Sequence, residues 1–280
     1  MTRPLGVAHL TLLSLTPPEI VSAATAAGLD FVGIRVRAVT SDEPIPALRP
    51  GSPLLRETVM RLKDTGVVVR DIEFLPITPG TGPDDWQSAL EAGAALGATA
   101  LTIAGADTDR SRLLDKISQL TADAAGYGIR PLLEPISYQP IARVTDAAAI
   151  ARATGAGLML DPLHIQRGGS DVADVAALDP GLIPMIQLCD APLAPPSGDR
   201  LPALQHEARA QRLQIGEGEL PLAALLAATP AGVPVSIEVP HALRQQSVSP
   251  HEWIVQNAQA ARALIEQADS ARDTIGHQDV

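Results

Sequence analysis

The stretch RPLLEP at residues 130–135 decides the fold of this chain, because it places one charged residue, Glu134, at the end of an apolar run. Three further stretches repeat this pattern with one polar residue each: GLMLDP at 157–162 with Asp161, IPMIQL at 183–188 with Gln187, and VPVSIEVP at 233–240 with Glu238. The separations of 27, 26 and 51 residues match one strand–helix unit, a second unit, and then two units or one unit with a long loop. Such spacing gathers the four side chains at one mouth of a barrel of parallel strands. A charge at the end of a buried strand is costly unless it is paired or bound to a metal, so the pattern predicts a divalent-cation site.

Short runs rich in Val, Ile and Leu alternate with Ala- and Leu-rich segments of helical period along the whole chain. The alternation predicts an α/β protein, a single-domain (β/α)₈ TIM barrel over residues 1–268, followed by a polar tail, 269–280, that we expect to be frayed. The absence of a G-x-G-x-x-G motif after the first strand disfavours a dinucleotide-binding sheet. The predicted strands are 5–13, 31–36, 67–75, 99–104, 130–135, 157–162, 183–189 and 233–239. The predicted helices are 17–27, 52–65, 84–97, 109–126, 145–154, 171–178, 220–228 and 250–268.

The composition narrows the class of partner. Lys and Arg number 21 against 32 Asp and Glu, giving a formal charge of −11, and no basic run occurs, which argues against nucleic acid and anionic membranes. We therefore expect a small-molecule partner, and the family resemblance described below implies that it is a polyhydroxylated substrate. The N-terminal apolar segment is interrupted by His9 and predicts a strand rather than a signal peptide. The single cysteine, Cys189, allows no internal disulfide and fits a reducing cytoplasm.

Further polar residues follow the predicted strands. His164 completes an Asp-x-x-His sequence after strand 6, where it can be a structural residue, a substrate contact or a proton shuttle. Gln187 can coordinate a hard cation through its carbonyl oxygen or hydrogen-bond a neighbouring ligand, and the sequence leaves both open. Arg212, which precedes Gly216-Glu217-Gly218, and Arg35, at the end of strand 2, are candidate substrate contacts; the alternative is an arginine packed on its own loop.

Glu73 is a weaker candidate at the same mouth. Two long segments, 37–51 and 190–219, also follow strands and are predicted to form lids or substrate walls.

Together, Glu134, Asp161-x-x-His164, Gln187-Leu-Cys-Asp190, Arg212 before Gly-x-Gly, and Glu238 resemble the xylose-isomerase-like superfamily of barrels. That superfamily contains sugar isomerases and epimerases, 3-dehydroshikimate dehydratases and endonuclease IV. Its ketose 3-epimerases usually have a histidine where this chain has Gln187, whereas some bacterial 3-dehydroshikimate dehydratases carry Glu, Asp, Gln and Glu at similar separations. Endonuclease IV fits badly, because it needs a histidine-rich zinc cluster. The resemblance also implies that two barrels can pair as a homodimer through their outer helices.

Glu134, Asp161, Gln187 and Glu238 are the predicted metal ligands. This all-oxygen set suits one divalent ion, with Mn²⁺ as our leading expectation and Mg²⁺ or Co²⁺ as alternatives. We expect an isomerase or epimerase that forms a metal-stabilised enediolate from a sugar-like α-hydroxy ketone, with Glu134 and Glu238 as acid and base and His164 as a further catalytic group. Two alternatives stay open: a dehydratase of the 3-dehydroshikimate type, with Arg212 as its carboxylate clamp, and a non-catalytic ligand-binding barrel.

Overall fold

The strands form one closed barrel in the computed structural model, which describes residues 3–40, 43 and 48–276. Neighbouring strands are parallel and follow chain order, and the first strand closes the barrel by pairing with the last. The predicted (β/α)₈ TIM barrel is therefore confirmed. The strands are β1 (Leu5–Val7), β2 (Phe31–Arg35), β3 (Val68–Ile77), β4 (Ala100–Gly105), β5 (Arg130–Glu134), β6 (Gly157–Leu160), β7 (Met185–Leu188) and β8 (Val235–Ile237).

The helices surround the barrel, and local sequence signals set many of their ends. Ser52 accepts a hydrogen bond from the Leu55 backbone at the start of the second helix, and Gly66, Gly97 and Gly155 end their helices with φ between 75° and 78°. The helices are α1 (Pro17–Ala26), α2 (Pro53–Thr65), α3 (Pro83–Leu96), α4 (Arg110–Ala125), α5 (Val144–Thr154), α6 (Pro162–Gly168), α7 (Val172–Ala176), α8 (Arg200–Ala210), α9 (Leu222–Ala228) and α10 (Pro250–Gly276). No helix in the described ranges is long and apolar enough to cross a membrane.

The first predicted strand is too long. β1 ends at Val7, and His9–Leu12 form a 3₁₀ turn whose His9 and Leu12 side chains are buried. A buried turn and a buried strand have the same apolar composition, so the prediction of a strand over 5–13 was wrong for this reason.

Two helices were not predicted. α6 begins at Pro162, directly after β6, because Asp161 caps it by accepting hydrogen bonds from the backbone N–H groups of Leu163 and His164. α8 lies inside the segment 190–219, which was predicted as a loop. At the chain's end, α10 runs to Gly276 rather than stopping at 268; residues 277–280 of the predicted tail lie outside the described residues, as do 41–42 and 44–47 of the predicted loop 37–51.

The interior of the barrel is closed by apolar side chains near the N-terminal ends of the strands. Phe31, Ala100, Leu132, Met159 and Met185 form a cluster distinct from the main core between the sheet and the helices. Gly6 has no side chain at this level because a Cβ would lie 2.3 Å from the Phe31 ring. The opposite, C-terminal mouth therefore remains for polar residues.

Candidate metal and substrate site

The four predicted ligands converge at the C-terminal mouth. Glu134 ends β5, Asp161 follows β6, Gln187 lies within β7 and Glu238 follows β8; all four side chains are buried. Glu134, Gln187 and Glu238 line one cavity at this mouth. Asp161 does not line that cavity.

Gln187 uses the two ends of its amide differently. Its Nε2 donates a hydrogen bond to Glu238 Oε1 at 2.7 Å, whereas its Oε1 is buried without a hydrogen-bond partner in the described part of the chain. A buried acceptor without a partner costs about 1–3 kcal/mol, and a cation can satisfy it. Both roles that the sequence left open, orienting a neighbouring ligand and coordinating through oxygen, are therefore compatible with one orientation of this side chain.

Arg212 is the cation already present at the site. Its Nη1 donates to Asp161 Oδ2, and its Nη2 lies 2.9 Å from Glu238 Oε2. The side chain lines the cavity but is almost fully buried, with its Nε donating to the Ala208 carbonyl at 2.8 Å. Its guanidinium is thus held by protein carboxylates, and this arrangement differs from the substrate clamp that the sequence suggested.

The charges at the site are unbalanced. Glu134, Asp161 and Glu238 together carry −3 when ionised, and Arg212 offsets one charge, which leaves −2. Burial, followed by repulsion from Glu238 and Asp161, raises the pKa of Glu134 well above its usual range. Burial also raises the pKa of Glu238 to about 8, although Arg212 opposes the shift. A divalent ion would neutralise the remaining −2, so the donor set fits such an ion in charge as well as in chemistry.

His164 lies beside the carboxylates as a neutral imidazole. Burial lowers its pKa to about 4, against the raising effect of Asp161. Its Nδ1 is 3.1 Å from Ser137 Oγ and its Nε2 is 3.8 Å from Glu134 Oε1. Possible ligand atoms of Glu134, Asp161 and His164 lie within 4.8 Å of one another, so His164 can bind the same ion as well as contact substrate.

Asp161 has both carboxylate oxygens engaged. Oδ1 accepts the two backbone hydrogen bonds that begin α6, and Oδ2 accepts from Arg212. Burial would raise its pKa, but Arg212 and His164 together hold the pKa below its usual range. Asp161 is therefore a charged carboxylate at the base of the site.

Arg35 and Glu73 lie on the cavity wall opposite, within a network of their own. Arg35 Nη1 is 2.5 Å from Glu43 Oε2, and its Nε is 3.6 Å from Glu73 Oε2. Glu73 Oε1 accepts from the His9 backbone N–H at 2.7 Å, and the Arg35 backbone N–H donates to His9 Nδ1 at 2.9 Å. These contacts join the ends of β1, β2 and β3, so the two predicted substrate contacts also hold this side of the mouth together.

The sequence analysis did not single out several polar residues of the site, among them Ser137, which contacts His164, and Tyr138 and Arg209, which line the cavity. The Tyr138 and His164 rings meet edge to face with centroids 5.6 Å apart. Ser137 and Tyr138 lie three and four residues after Glu134, and this position just beyond the C-terminal end of a barrel strand was the available signal. Arg209 lies in α8, which had no predicted structure, and carries no such signal.

Comparison with known proteins supports this architecture. A family model described as xylose isomerase-like TIM barrel matches residues 21–264. No curated protein matches the sequence significantly. Among solved structures, a xylose isomerase-like TIM barrel/4-hydroxyphenylpyruvate dioxygenase fusion protein is 20% identical with a TM-score of 0.78, over 99% of this chain and 45% of that one. The chain thus spans less than half of that protein.

Two further similar structures carry named activities. A D-allulose 3-epimerase from Methylomonas sp. is 15% identical, with a TM-score of 0.65 over 95% of this chain and 97% of that one. A probable 3-DHS dehydratase of Bacillus anthracis involved in petrobactin synthesis is 12% identical, with a TM-score of 0.70 over 91% of this chain and 97% of that one. At these identities the likeness shows a shared fold, which hosts more than one reaction.

Proposed function

This chain belongs to the xylose isomerase-like TIM barrel family, and on that premise we propose that it is a divalent-metal-dependent isomerase or epimerase of a sugar or sugar-like α-hydroxy ketone. The observation that carries the proposal is a pair of buried carboxyl groups with raised pKa, Glu134 and Glu238, on one small cavity beside the partnerless oxygen of Gln187. Buried carboxyl groups whose pKa is raised in this way are candidates for general acid–base catalysis.

The ion would be held by Glu134, Gln187 and Glu238, with Asp161 or His164 completing the set. When bound, it would supply a Lewis acid for the oxygen on which negative charge develops. Mn²⁺ remains our leading candidate, with Mg²⁺ and Co²⁺ as alternatives, because the oxygen donors outnumber the single imidazole.

The protein residues then divide the proton transfers. One of Glu134 and Glu238 removes the proton from the carbon next to the carbonyl, and the other returns a proton. Return to the opposite face gives an epimer, whereas transfer to the neighbouring carbon gives an aldose–ketose isomer. The neutral His164 ring, fixed through Ser137, can pass a proton between Glu134 and a substrate oxygen. General acid–base catalysis of this kind contributes about 10²–10⁴-fold in rate.

A dehydratase is the second candidate, and Gln187 favours it. The same proton abstraction followed by loss of a β-hydroxyl group would give an enone. The glutamine at the third ligand position resembles some 3-dehydroshikimate dehydratases more than the histidine usual in ketose 3-epimerases.

The experiment combines metal counting with solvent exchange. Protein stripped of metal is loaded with Mn²⁺, freed of excess ion and analysed for bound metal, in the wild type and in Glu238→Ala. The loaded protein is then incubated in D₂O with D-allulose and with 3-dehydroshikimate, and the recovered carbohydrate is examined by NMR and mass spectrometry. We expect about one ion per chain in the wild type, its loss in Glu238→Ala, and deuterium at the α carbon of a recovered epimer or isomer.

Glu134→Gln and Glu238→Gln should abolish exchange, whereas the exposed Glu252→Gln is the matched control. Formation of a catechol from 3-dehydroshikimate without exchange into recovered substrate would favour the dehydratase. Bound metal with neither reaction would favour the ligand-binding barrel. Absence of bound metal in the wild type would overturn the proposed mechanism.

A further inference from the structure

A buried carboxyl group outside the proposed ligand set, Asp71, lies inside the barrel beneath the cavity. Its side chain is 1% exposed, and its Oδ1 has no hydrogen-bond partner in the described part of the chain. Asp71 pairs in register with Ala100 of β4, a member of the apolar cluster that closes the barrel interior. Glu134, by contrast, pairs with Ala104, four residues further along the same strand. Asp71 is therefore deeper in the barrel than the proposed metal ligands.

Asp71 lies beside a second carboxyl group, Glu73. The two side chains point to the same side of β3, and Gly33 of β2 lies opposite. A Cβ on Gly33 would lie 2.9 Å from Asp71 Oδ1 and 2.4 Å from Glu73 Oε1. Both carboxyl groups fit here because this glycine has no side chain. Two carboxyl groups in one buried site resist simultaneous ionisation, so one of them holds a proton.

The surroundings determine which of the two holds the proton. Glu73 accepts a backbone N–H at 2.7 Å, and its Oε2 lies 3.6 Å from Arg35 Nε. Burial and then repulsion from Glu73 raise the pKa of Asp71 to about 8, although the Thr102 hydrogen bond and the charge of Arg70 oppose the shift. The neighbouring strand β4 has no charged residue. Asp71 is therefore the neutral acid of the pair.

Thr102 connects this acid to the cavity. Its Oγ1 donates to Asp71 Oδ2 at 3.1 Å, and the same side chain lines the cavity together with Glu73 and Glu134. Thr102 pairs in register with Leu132, two residues before Glu134, so its hydroxyl lies at the inner end of the cavity. A hydroxyl group can accept one proton while it donates another. Thr102 can therefore pass a proton between Asp71 and a bound molecule.

We propose that Thr102 and Asp71 form a proton relay from the barrel interior to one oxygen of the substrate. When Glu134 or Glu238 removes the α proton, the Thr102 O–H gives its proton to the carbonyl oxygen, and the Asp71 O–H gives its proton to Thr102 Oγ1. The step yields a neutral enediol and the Asp71 carboxylate, and the reverse transfers restore the starting state. Thr102 contacts the substrate, whereas Asp71 acts through Thr102. This inference rests on the proposed function and adds to it an acid that is not a metal ligand.

Infrared difference spectroscopy tests the relay without a substrate. The probe is acetohydroxamate, a planar anion whose two adjacent oxygens resemble an enediolate, and its binding to Mn²⁺-loaded protein is measured separately by titration calorimetry. Protonated carboxyl groups absorb at a higher frequency than carboxylates and amides, so the band that is lost in Asp71→Asn belongs to Asp71. We expect this band in the wild type at pH 7. It should shift when the probe binds, because the Thr102 O–H then turns to the probe; the shift should be absent in Thr102→Val and present in Thr102→Ser.

Turnover of D-allulose gives a second readout. Loss of a proton-transfer group lowers the rate by about 10²–10⁴-fold, so Thr102→Val and Asp71→Asn should lower kcat by about 10²-fold or more and change KM by less than about two-fold. Thr102→Ser keeps the hydroxyl and should keep most of the rate. The controls Thr121→Val and Asp115→Asn lie in α4, away from the cavity, and should leave both constants unchanged. Melting temperatures establish which variants are folded, and Asp71→Asn and Thr102→Val can each serve if the other is not.

The outcomes separate the relay from the proposed function. An ionised Asp71 in the wild type at pH 7 would overturn the relay and leave the metal site standing. The same holds for an Asp71 band that ignores the bound probe, or that shifts equally in Thr102→Val. The predicted shift without turnover of D-allulose would support the relay and count against that sugar as a substrate. Failure of the probe to bind the loaded wild type would overturn both the relay and the proposed function.

Discussion

The two ends of the Gln187 amide have different surroundings, and the variant Gln187→Met therefore tests the metal site. This change keeps the length of the side chain but removes the N–H that donates to Glu238 and the partnerless carbonyl oxygen. A hydrogen bond to a charged group contributes about 1.5–3 kcal/mol, and a buried unpaired acceptor costs about 1–3 kcal/mol. Because these effects offset each other, we expect the free energy of unfolding of the metal-free protein to change by less than about 1 kcal/mol.

The metal-loaded protein should respond differently. Loss of a partner at a metal centre typically lowers metal affinity by about 10–100-fold. At saturating Mn²⁺, that loss removes about 1.4–2.7 kcal/mol of metal-dependent stabilisation. One kcal/mol shifts the melting temperature of a chain of this size by about 2–4 °C, so the rise in Tm on adding Mn²⁺ should shrink by about 3–10 °C.

Differential scanning calorimetry of chelator-treated protein, with and without MnCl₂, separates the two effects. Gln119→Met, at an exposed position in α4, is the matched control and should change neither value. A lower Tm in the metal-free variant combined with an undiminished response to Mn²⁺ would refute the reasoning, since it would make Gln187 a structural partner of Glu238 and no ligand.

Three further predictions concern buried charges outside the ligand set. Burial and then repulsion from Glu73 raise the pKa of Asp71 to about 8, so the folded protein binds a proton that the unfolded chain releases near pH 4. The free energy of unfolding should therefore fall as the pH rises from 4 to 8. Urea titrations should show that Asp71→Asn removes up to about 1.4 kcal/mol per pH unit of that slope. Glu207→Gln should cost about 3–5 kcal/mol because it leaves the buried Arg167 without its carboxylate, whereas exposed Glu217→Gln should cost less than about 1 kcal/mol by the same assay. Asp190→Ala should destabilise the protein by about 3 kcal/mol or more, because four backbone N–H groups lose their acceptor. It should also speed proteolysis of the segment after β7. An unchanged rate of proteolysis would contradict the inference that the Asp190 carboxylate holds this segment in place.

The alternation of short apolar runs with segments of helical period was sufficient to predict the barrel. Parallel strands buried on both faces appear as continuous apolar runs. The predicted helix ends at residues 65 and 154 are confirmed, and each is followed by a glycine, Gly66 or Gly155, with a left-handed φ angle. Strand lengths were less predictable, since buried turns such as His9–Leu12 share the composition of strands. α6 was missed although Asp161-Pro162 is a helix-start signal, because Asp161 was assigned only to the metal site.

The site was predictable where a residue's position on a strand determined its location. Glu134, Gln187 and Glu238 converge because their strands do, and spacing reveals this. The partners of Arg212 were not predictable, because Arg212 lies in the long segment after β7, and hydrophobic periodicity does not predict the path of such a segment. The same limit applies to Arg209, which reaches the cavity only through the unpredicted helix α8.

The contacts of Asp190 bear on how barrels of this family could acquire new specificities. Its backbone pairs with Leu213, and its carboxylate accepts the N–H groups of Gly216, Gly218 and Leu220. Both ends of the long segment after β7 are therefore attached to the barrel at Asp190. The contact with Gly218 is close, because a Cβ on this glycine would lie 2.3 Å from the Asp190 carboxylate. The segment between these ends, which includes α8, can therefore change in sequence and length, in evolution or by design, while the carboxylates of Glu134, Asp161 and Glu238 keep their positions.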